Sequence, residues 1–314
     1  MEHQLLFLHR TEVQRLLKLD DLLEALPRAL QQLSEDQTSI PPRVGAFAPT
    51  GLLGAMPGYV PDAGLMVKLV SVFPGNDAQG LPSHQALIVV FDSQVGKPLA
   101  IMDGTHITAS RTAATSAVAA RALARSNARV LTILGAGAQG ASHLDALGRI
   151  ADFDEIRVAS RTRPHAIALA QRDPRAVVAE SFEDAVRGAE IVCCCTDAKQ
   201  PVIHRNWLDP GTHVSSVGTG AELDPATVEA ARVFVEWRGA ATNPPPAGAV
   251  ELQGRGPDTV TELGEVLNGS RPGRQATDEL TVYKSTGHAV EDAAAAALVY
   301  RQAKERGIGT VVTL

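Results

Sequence analysis

Apolar residues recur along this chain in two alternating rhythms. A period of three to four residues over 12–32, opened by Thr11, predicts an amphipathic helix. Runs with strand character follow at 65–72, 85–92 and 98–103, each bounded by turn residues. The alanine-rich stretch 112–125 predicts a second helix. From there strand and helix patterns alternate to about residue 285: a strand over 130–134, a helix over 141–147, a strand over 155–159 and a buried strand within 190–196. A last helix is expected over 291–306, and its apolar run 293–298 suits packing back against the first part of the chain. Pro244 to Pro246 reads as a stiff loop. Internal repeats and low-complexity tails are absent from the pattern.

The junction between the 130–134 strand and the following helix carries the most chemistry. It reads Leu134-Gly-Ala-Gly-Ala-Gln-Gly140, a Gly-x-Gly-x-x-Gly placed between a strand and a helix. Gly135 permits the tight turn, Gly137 lets backbone approach a pyrophosphate, and Gly140 allows close helix–strand packing. The phosphates are then expected on the helix N-terminus. The fold class expected is therefore α/β, with a Rossmann-type dinucleotide-binding domain over 116–289 and an α+β domain formed by 1–115 with 290–314. At the end of the second strand, where a carboxylate would hold a ribose 2′-hydroxyl, the chain has Ser160, followed by Arg161, Thr162 and Arg163. Cations and hydroxyls suit a 2′-phosphate, so NADP(H) is expected over NAD(H).

Composition narrows the partners. A chain of 314 residues with 45% hydrophobic content can bury two cores, and a net charge of −6 without a dense Lys/Arg block argues against nucleic acid. No apolar run reaches the ~20 residues that span a bilayer, and the first residues lack signal-peptide architecture, so a cytoplasmic protein without a membrane partner is expected. The three cysteines, Cys193 to Cys195, are consecutive within a strand. Neighbours on a strand alternate faces, and no spacing supplies metal ligands, so these thiols are assigned no chemistry and no metal is expected.

Three cations stand in otherwise apolar or small-residue surroundings: Arg43, Lys68 and Arg111. Strand alternation puts Lys68 on one face with Met66 and Val70, leaving it either an edge-strand charge reaching water or a buried ammonium able to trade protons near neutrality. Read with the glycine motif, several ordered stretches carry a resemblance: Pro41-Pro-Arg43, Met56-Pro57, Val67-Lys68, Phe73-Pro-Gly-Asn76, Leu81-Pro-Ser-His-Gln85, Met102-Asp-Gly104, Ser110-Arg-Thr-Ala-Ala-Thr115 and Tyr283-Lys-Ser-Thr-Gly-His-Ala289. Over nearly its whole length the chain resembles the ornithine cyclodeaminase and mu-crystallin family.

That resemblance implies a homodimer in which the first domain, joined by the C-terminal helix, binds substrate and forms the subunit contact, with active sites between the domains. It implies that Arg43 and Arg111 clamp a substrate α-carboxylate and that Lys68 handles the proton at the substrate nitrogen. It places Ser83, His84 and Thr112 toward the nicotinamide, Ala138 and Gln139 at the pyrophosphate, and Val217 with Gly218 on the far side of the cofactor. Thr196 is counted with the cofactor-binding positions, and His84 can equally be a plain loop histidine. Two departures are visible. The deaminating members carry an acid before Met-Pro where this chain has Gly54, and a loop aspartate where this chain has only Val217-Gly-Thr-Gly-Ala-Glu-Leu223. Asp224, after that pair, is expected to cap a helix. The activity expected is NAD(P)H-dependent reduction of a cyclic ketimine such as Δ1-pyrroline-2-carboxylate, or interconversion of an amino acid and its oxo acid. Ornithine cyclodeamination and non-catalytic NADP(H)-dependent ligand binding are the alternatives.

Overall fold

The computed structural model describes residues 4–313. They form two compact units, one built from residues up to Arg111 with those from His288 onward, the other Thr112–Gly287.

The first unit is a seven-stranded sheet with the spatial order β15-β1-β6-β5-β4-β3-β2. Its strands are β1 (Gln4–Leu8), β2 (Val44–Ala48), β3 (Gly51–Val60), β4 (Gly64–Val72), β5 (His84–Phe91), β6 (Pro98–Asp103) and β15 (Thr310–Thr313). All neighbours are antiparallel except β1 and β6. Alternation turns Met56, Met66, Ile88 and Met102 to one buried face. Helices α1 (Arg10–Leu16), α2 (Leu19–Ser34) and α10 (Ala289–Arg306) belong to this unit, and α10 packs on α2, β3, β4 and β5. Small residues let α10 come close: a Cβ on Gly58 of β3 would lie 3.4 Å from that of Ala289.

The second unit is an eight-stranded parallel sheet with the order β13-β12-β14-β11-β10-β7-β8-β9. Its strands are β7 (Val130–Leu134), β8 (Glu155–Ala159), β9 (Ala176–Val178), β10 (Ile191–Cys194), β11 (His213–Ser216), β12 (Arg232–Val235), β13 (Val260–Glu262) and β14 (Thr281–Lys284). Helices α4 (Ala138–Leu147), α5 (Arg163–Ala170), α6 (Phe182–Val186), α7 (Pro225–Ala230), α8 (Gly239–Thr242) and α9 (Leu263–Leu267) connect them, while α3 (Gly104–Leu123) runs through the boundary in sequence. From β7 the chain moves outward to β8 and β9, then returns to β10 on the other side. The order therefore reverses between β7 and β10, where α/β sheets open a ligand crevice at the strands' C-terminal ends.

The structure revises several expected elements. The helix expected over 12–32 is two helices, because Leu17 turns extended and Lys18 opens α2; the apolar period runs unbroken across the joint and gives no sign of it. The first helix opens not at Thr11 but at His9, in a capping box with Glu12. Helix α3 begins eight residues before 112, where the Asp103 carboxylate accepts the His106 amide at 2.9 Å; the β-branched residues of Gly-Thr-His-Ile-Thr had masked it. Asp224 does cap α7, accepting the Thr227 amide at 2.8 Å. Among the described residues no helix is long and apolar enough to cross a membrane.

Candidate functional site

In the second unit the glycine loop meets the geometric demands of a pyrophosphate cradle. Gly135 sits at φ +101°, and a Cβ there would come within 2.5 Å of the Cys195 carbonyl oxygen. A Cβ on Gly140 would come within 2.0 Å of the Gly135 carbonyl oxygen. A Cβ on Gly137 would meet nothing within 4 Å, so open space faces the backbone at the N-cap of α4. Ala138 and Gln139 form the helix's first turn, whose exposed amides and dipole favour an anion. The residues present therefore fit a dinucleotide.

At the end of β8 no carboxylate stands. The Ser160 hydroxyl accepts the Thr162 amide at 3.3 Å, and Arg161 is exposed without an ion pair among the described residues. Arg163 is occupied in a two-pronged pair with Glu180 at 2.8 and 2.9 Å, so of the two arginines Arg161 is the one not held by a carboxylate.

The loops at the ends of β10 and β11 are held by a carboxylate with no anticipated role. Glu222 is fully buried. Its Oε1 accepts the Thr196 amide and hydroxyl, both at 2.7 Å, and its Oε2 accepts the Ser216 hydroxyl at 2.7 Å and the Gly218 amide at 2.8 Å. Lys284 of β14 donates to Ser216 Oγ at 2.9 Å, the Gly218 carbonyl at 2.9 Å and Glu251 at 3.0 Å. Thr196 and Gly218 are thus held by Glu222, with Val217 between Ser216 and Gly218 bonding its amide to the Cys194 carbonyl, and Gly218 has to be glycine because its Cβ would lie 2.5 Å from Glu222. The only hint in the sequence was an acid inside a loop of small residues.

The first unit gathers the cations. Lys68 lies on β4, inside the sheet, with only 2% of its surface exposed, which excludes the edge-strand reading. Its ammonium stands 2.6 Å from Asp292 in the first turn of α10. Arg111, also buried, directs Nε to the other oxygen of Asp292 at 3.0 Å and Nη1 to Glu291. His288 caps the same helix, and its amide donates to Glu291 at 3.1 Å.

The cluster's titration follows from burial and charge. Desolvation pulls Lys68 down to about 8; Asp292 partly restores it, while the charges of Arg111 and Arg43 press it lower. Burial opposes ionisation of Asp292, but Arg111 and Lys68 outweigh it and hold the carboxyl below its usual range. His288 is driven to about 3 by burial and then by Arg43, so it stays neutral. His84, at the exposed start of β5, is lowered by desolvation and by Lys68, and its Nδ1 lies 3.2 Å from the Ser83 hydroxyl. Arg43 is half-buried on the approach to β2. The charges of Arg43 and Arg111 both act on Lys68 and His288, so the cluster has the cationic character that complements a carboxylate. Nothing local in the sequence marks Glu291 and Asp292, because Lys68 and Arg111 are remote from them in the chain. Thr112, next in the chain after Arg111, is buried and belongs to the second unit.

Residues 3–307 match the model of the ornithine cyclodeaminase/mu-crystallin family. The chain is 41% identical over 258 residues to the mouse (Mus musculus) ketimine reductase mu-crystallin, covering 80% of each. It is 30% identical to the alanine dehydrogenase of Archaeoglobus fulgidus, covering 98% of each. Among solved structures, the Δ1-pyrroline-2-carboxylate reductase of Thermococcus litoralis, in complex with NADH and L-proline, superposes with a TM-score of 0.93 at 32% identity, over 98% of this chain and 100% of that one.

Substituting Gly140→Ala should weaken binding of the reduced nicotinamide dinucleotide by at least about tenfold in a fluorescence titration, because the added methyl would force the Gly135 carbonyl out of its position. An unchanged affinity would move the dinucleotide elsewhere.

Proposed function

The chain belongs to the ornithine cyclodeaminase/mu-crystallin family, and from that premise we propose that it is an NAD(P)-dependent oxidoreductase that reduces a cyclic ketimine of the Δ1-pyrroline-2-carboxylate kind to the corresponding cyclic amino acid. The observation that carries this reading is the buried Lys68–Asp292 pair, with Arg111 held on the same carboxylate. Arg43 and Arg111, the latter held by Glu291 and Asp292, bind the substrate carboxylate. Lys68 Nζ holds a proton at the imine nitrogen, which keeps C2 electrophilic. Reduced nicotinamide, when bound, supplies the hydride that C2 accepts. One hydride and one proton convert C=N to CH–NH. Ser160 and Arg161, with no carboxylate at the end of β8, support NADP(H) as the preferred cofactor.

The outward face of the first unit's sheet supports a homodimer. Leu53, Leu65, Leu69 and Leu87 are 52%, 36%, 37% and 48% exposed, and Leu69 and Leu87 are direct cross-strand partners. A contiguous apolar sheet face of this kind suits a second copy of the same surface.

Oxidation of NADPH and NADH, followed by nicotinamide absorbance with a panel of cyclic imino acids and with ammonia release from L-ornithine measured alongside, tests the activity. Imine-dependent oxidation favouring NADPH, without ammonia, is expected, and Lys68→Met should lower kcat by about a hundredfold or more while NADPH still binds. Ammonia and proline from ornithine would refute the reading.

The pH dependence has a definite sign. Reduction needs Lys68 protonated, so kcat/KM for the imine should be flat below about 8 and fall above it, while oxidation of the amine rises through the same pH. Asp292 raises the Lys68 pKa, so Asp292→Asn should move the alkaline limb to lower pH. A limb that stays in place would remove Lys68 from the proton transfer.

Sedimentation should give a dimer, and the double change Leu69→Glu with Leu87→Glu should give a folded monomer; a wild-type monomer would refute the dimer.

A further inference from the structure

Cys193 and Cys195 stand two residues apart on an extended segment, the Cys195 amide continuing the ladder to Leu134 at 2.7 Å. Their side chains therefore project to the same side, with the sulfurs 3.5 Å apart, while Cys194 points oppositely into the apolar cluster with Leu134 and Val214. Helix α4 brings His143 to the pair. One imidazole nitrogen and both sulfurs lie within 4.8 Å of one another.

The imidazole is oriented as a ligand would be. The Gln139 carbonyl can only accept, so the 2.8 Å contact to Nδ1 fixes the proton there. The lone pair of the neutral ring is then on Nε2, to which the Ser116 hydroxyl lies at 3.0 Å. A carbonyl gripping one ring N–H is the arrangement that orients metal-binding histidines. The sulfur spacing agrees as well: two thiolates each ~2.3 Å from a tetrahedral zinc ion stand about 3.8 Å apart, a few tenths of an ångström from the separation here.

We propose that His143, Cys193 and Cys195 form a binding site for one thiophilic divalent cation of the Zn2+ class, with Nε2 and two thiolates as protein ligands and the fourth position taken by the Ser116 hydroxyl or an exogenous ligand. Binding needs no oxidant or reductant. Two thiols become two thiolates bonded to the cation, and two protons pass to solvent. Without a cation, burial holds both thiols above their usual pKa, so both keep their protons. The site adjoins the dinucleotide cradle. Gln139 lies in the first turn of α4, and the Cys195 carbonyl is the atom that a side chain on Gly135 would strike. An ion there ties the end of β10 to the middle of α4.

The test uses the full chain, reduced and stripped of metal. Titration with Co2+ should develop a thiolate-to-cobalt charge-transfer band that saturates at one equivalent, is displaced by Zn2+, and is accompanied by release of two protons. Cys194→Ser should keep the band, whereas Cys195→Ser and His143→Gln should each weaken binding by roughly tenfold or more, circular dichroism confirming that each variant is folded. A folded wild-type chain without the band, or a band unaltered in both ligand variants, overturns the site.

Discussion

The first unit is organised around a buried ion pair. An ammonium on an interior strand cannot swing out to water, and isolating it from solvent would cost several kcal/mol. Asp292 offsets that cost only because α10 comes close enough to the sheet to place a carboxylate 2.6 Å from Lys68. The close approach in turn explains the sequence of the helix: Ala289, Ala293, Ala294, Ala295 and Ala296 are buried, and Gly58 lies beneath its start. Acids in a helix's first turn also meet the positive end of its dipole, and Glu291 and Asp292 both lie there. A pair of this kind adds little net stability compared with apolar packing, so its presence in the core points to chemistry.

The second unit solves a related problem differently. Glu222 is buried without a direct ammonium contact, and four donors from three residues satisfy its two oxygens. An ionised carboxylate is tolerated in a core when its hydrogen bonds are complete. The consequence is rigidity at the C-terminal ends of β10 and β11, the side of a parallel sheet where ligands bind. Lys284 and Glu251 extend the network, so Gly218 is held through both its amide and its carbonyl.

What the sequence reveals depends on how local the cause is. The glycine motif, β4, β6 and β8 are legible because turn sterics and strand alternation act within a few residues. β2 and β3 are not: their Gly, Ala and Pro residues carry weak strand signal, and they are strands because β4 pairs with β3 and β3 with β2. Lys68 illustrates the boundary. Alternation gives its face, but only the sheet order, with β4 between β3 and β5, decides between water and core. Glu291, Asp292 and His143 lie beyond it, since each acquires its partners from elements remote in the chain.

The two departures from the deaminating members also take on physical meaning. Position 54 is buried on the same strand face as Met56, and a Cβ there would rest 3.5 Å from Val70, so this spot offers an apolar wall and no anion for a distal ammonium. In the 217–223 loop the one acid is Glu222, and both its oxygens are already committed to the backbone and hydroxyls they hold in place. Drawing it toward a substrate amine would leave four donors unsatisfied, at roughly 1–3 kcal/mol for each buried group left without a partner. The resemblance places acids at both positions in the deaminating members, whereas reduction of a ring imine needs one carboxylate bound and one proton held. Lys68 and Arg111, fixed by Glu291 and Asp292 beside a position 54 that carries no acid, suit the second requirement.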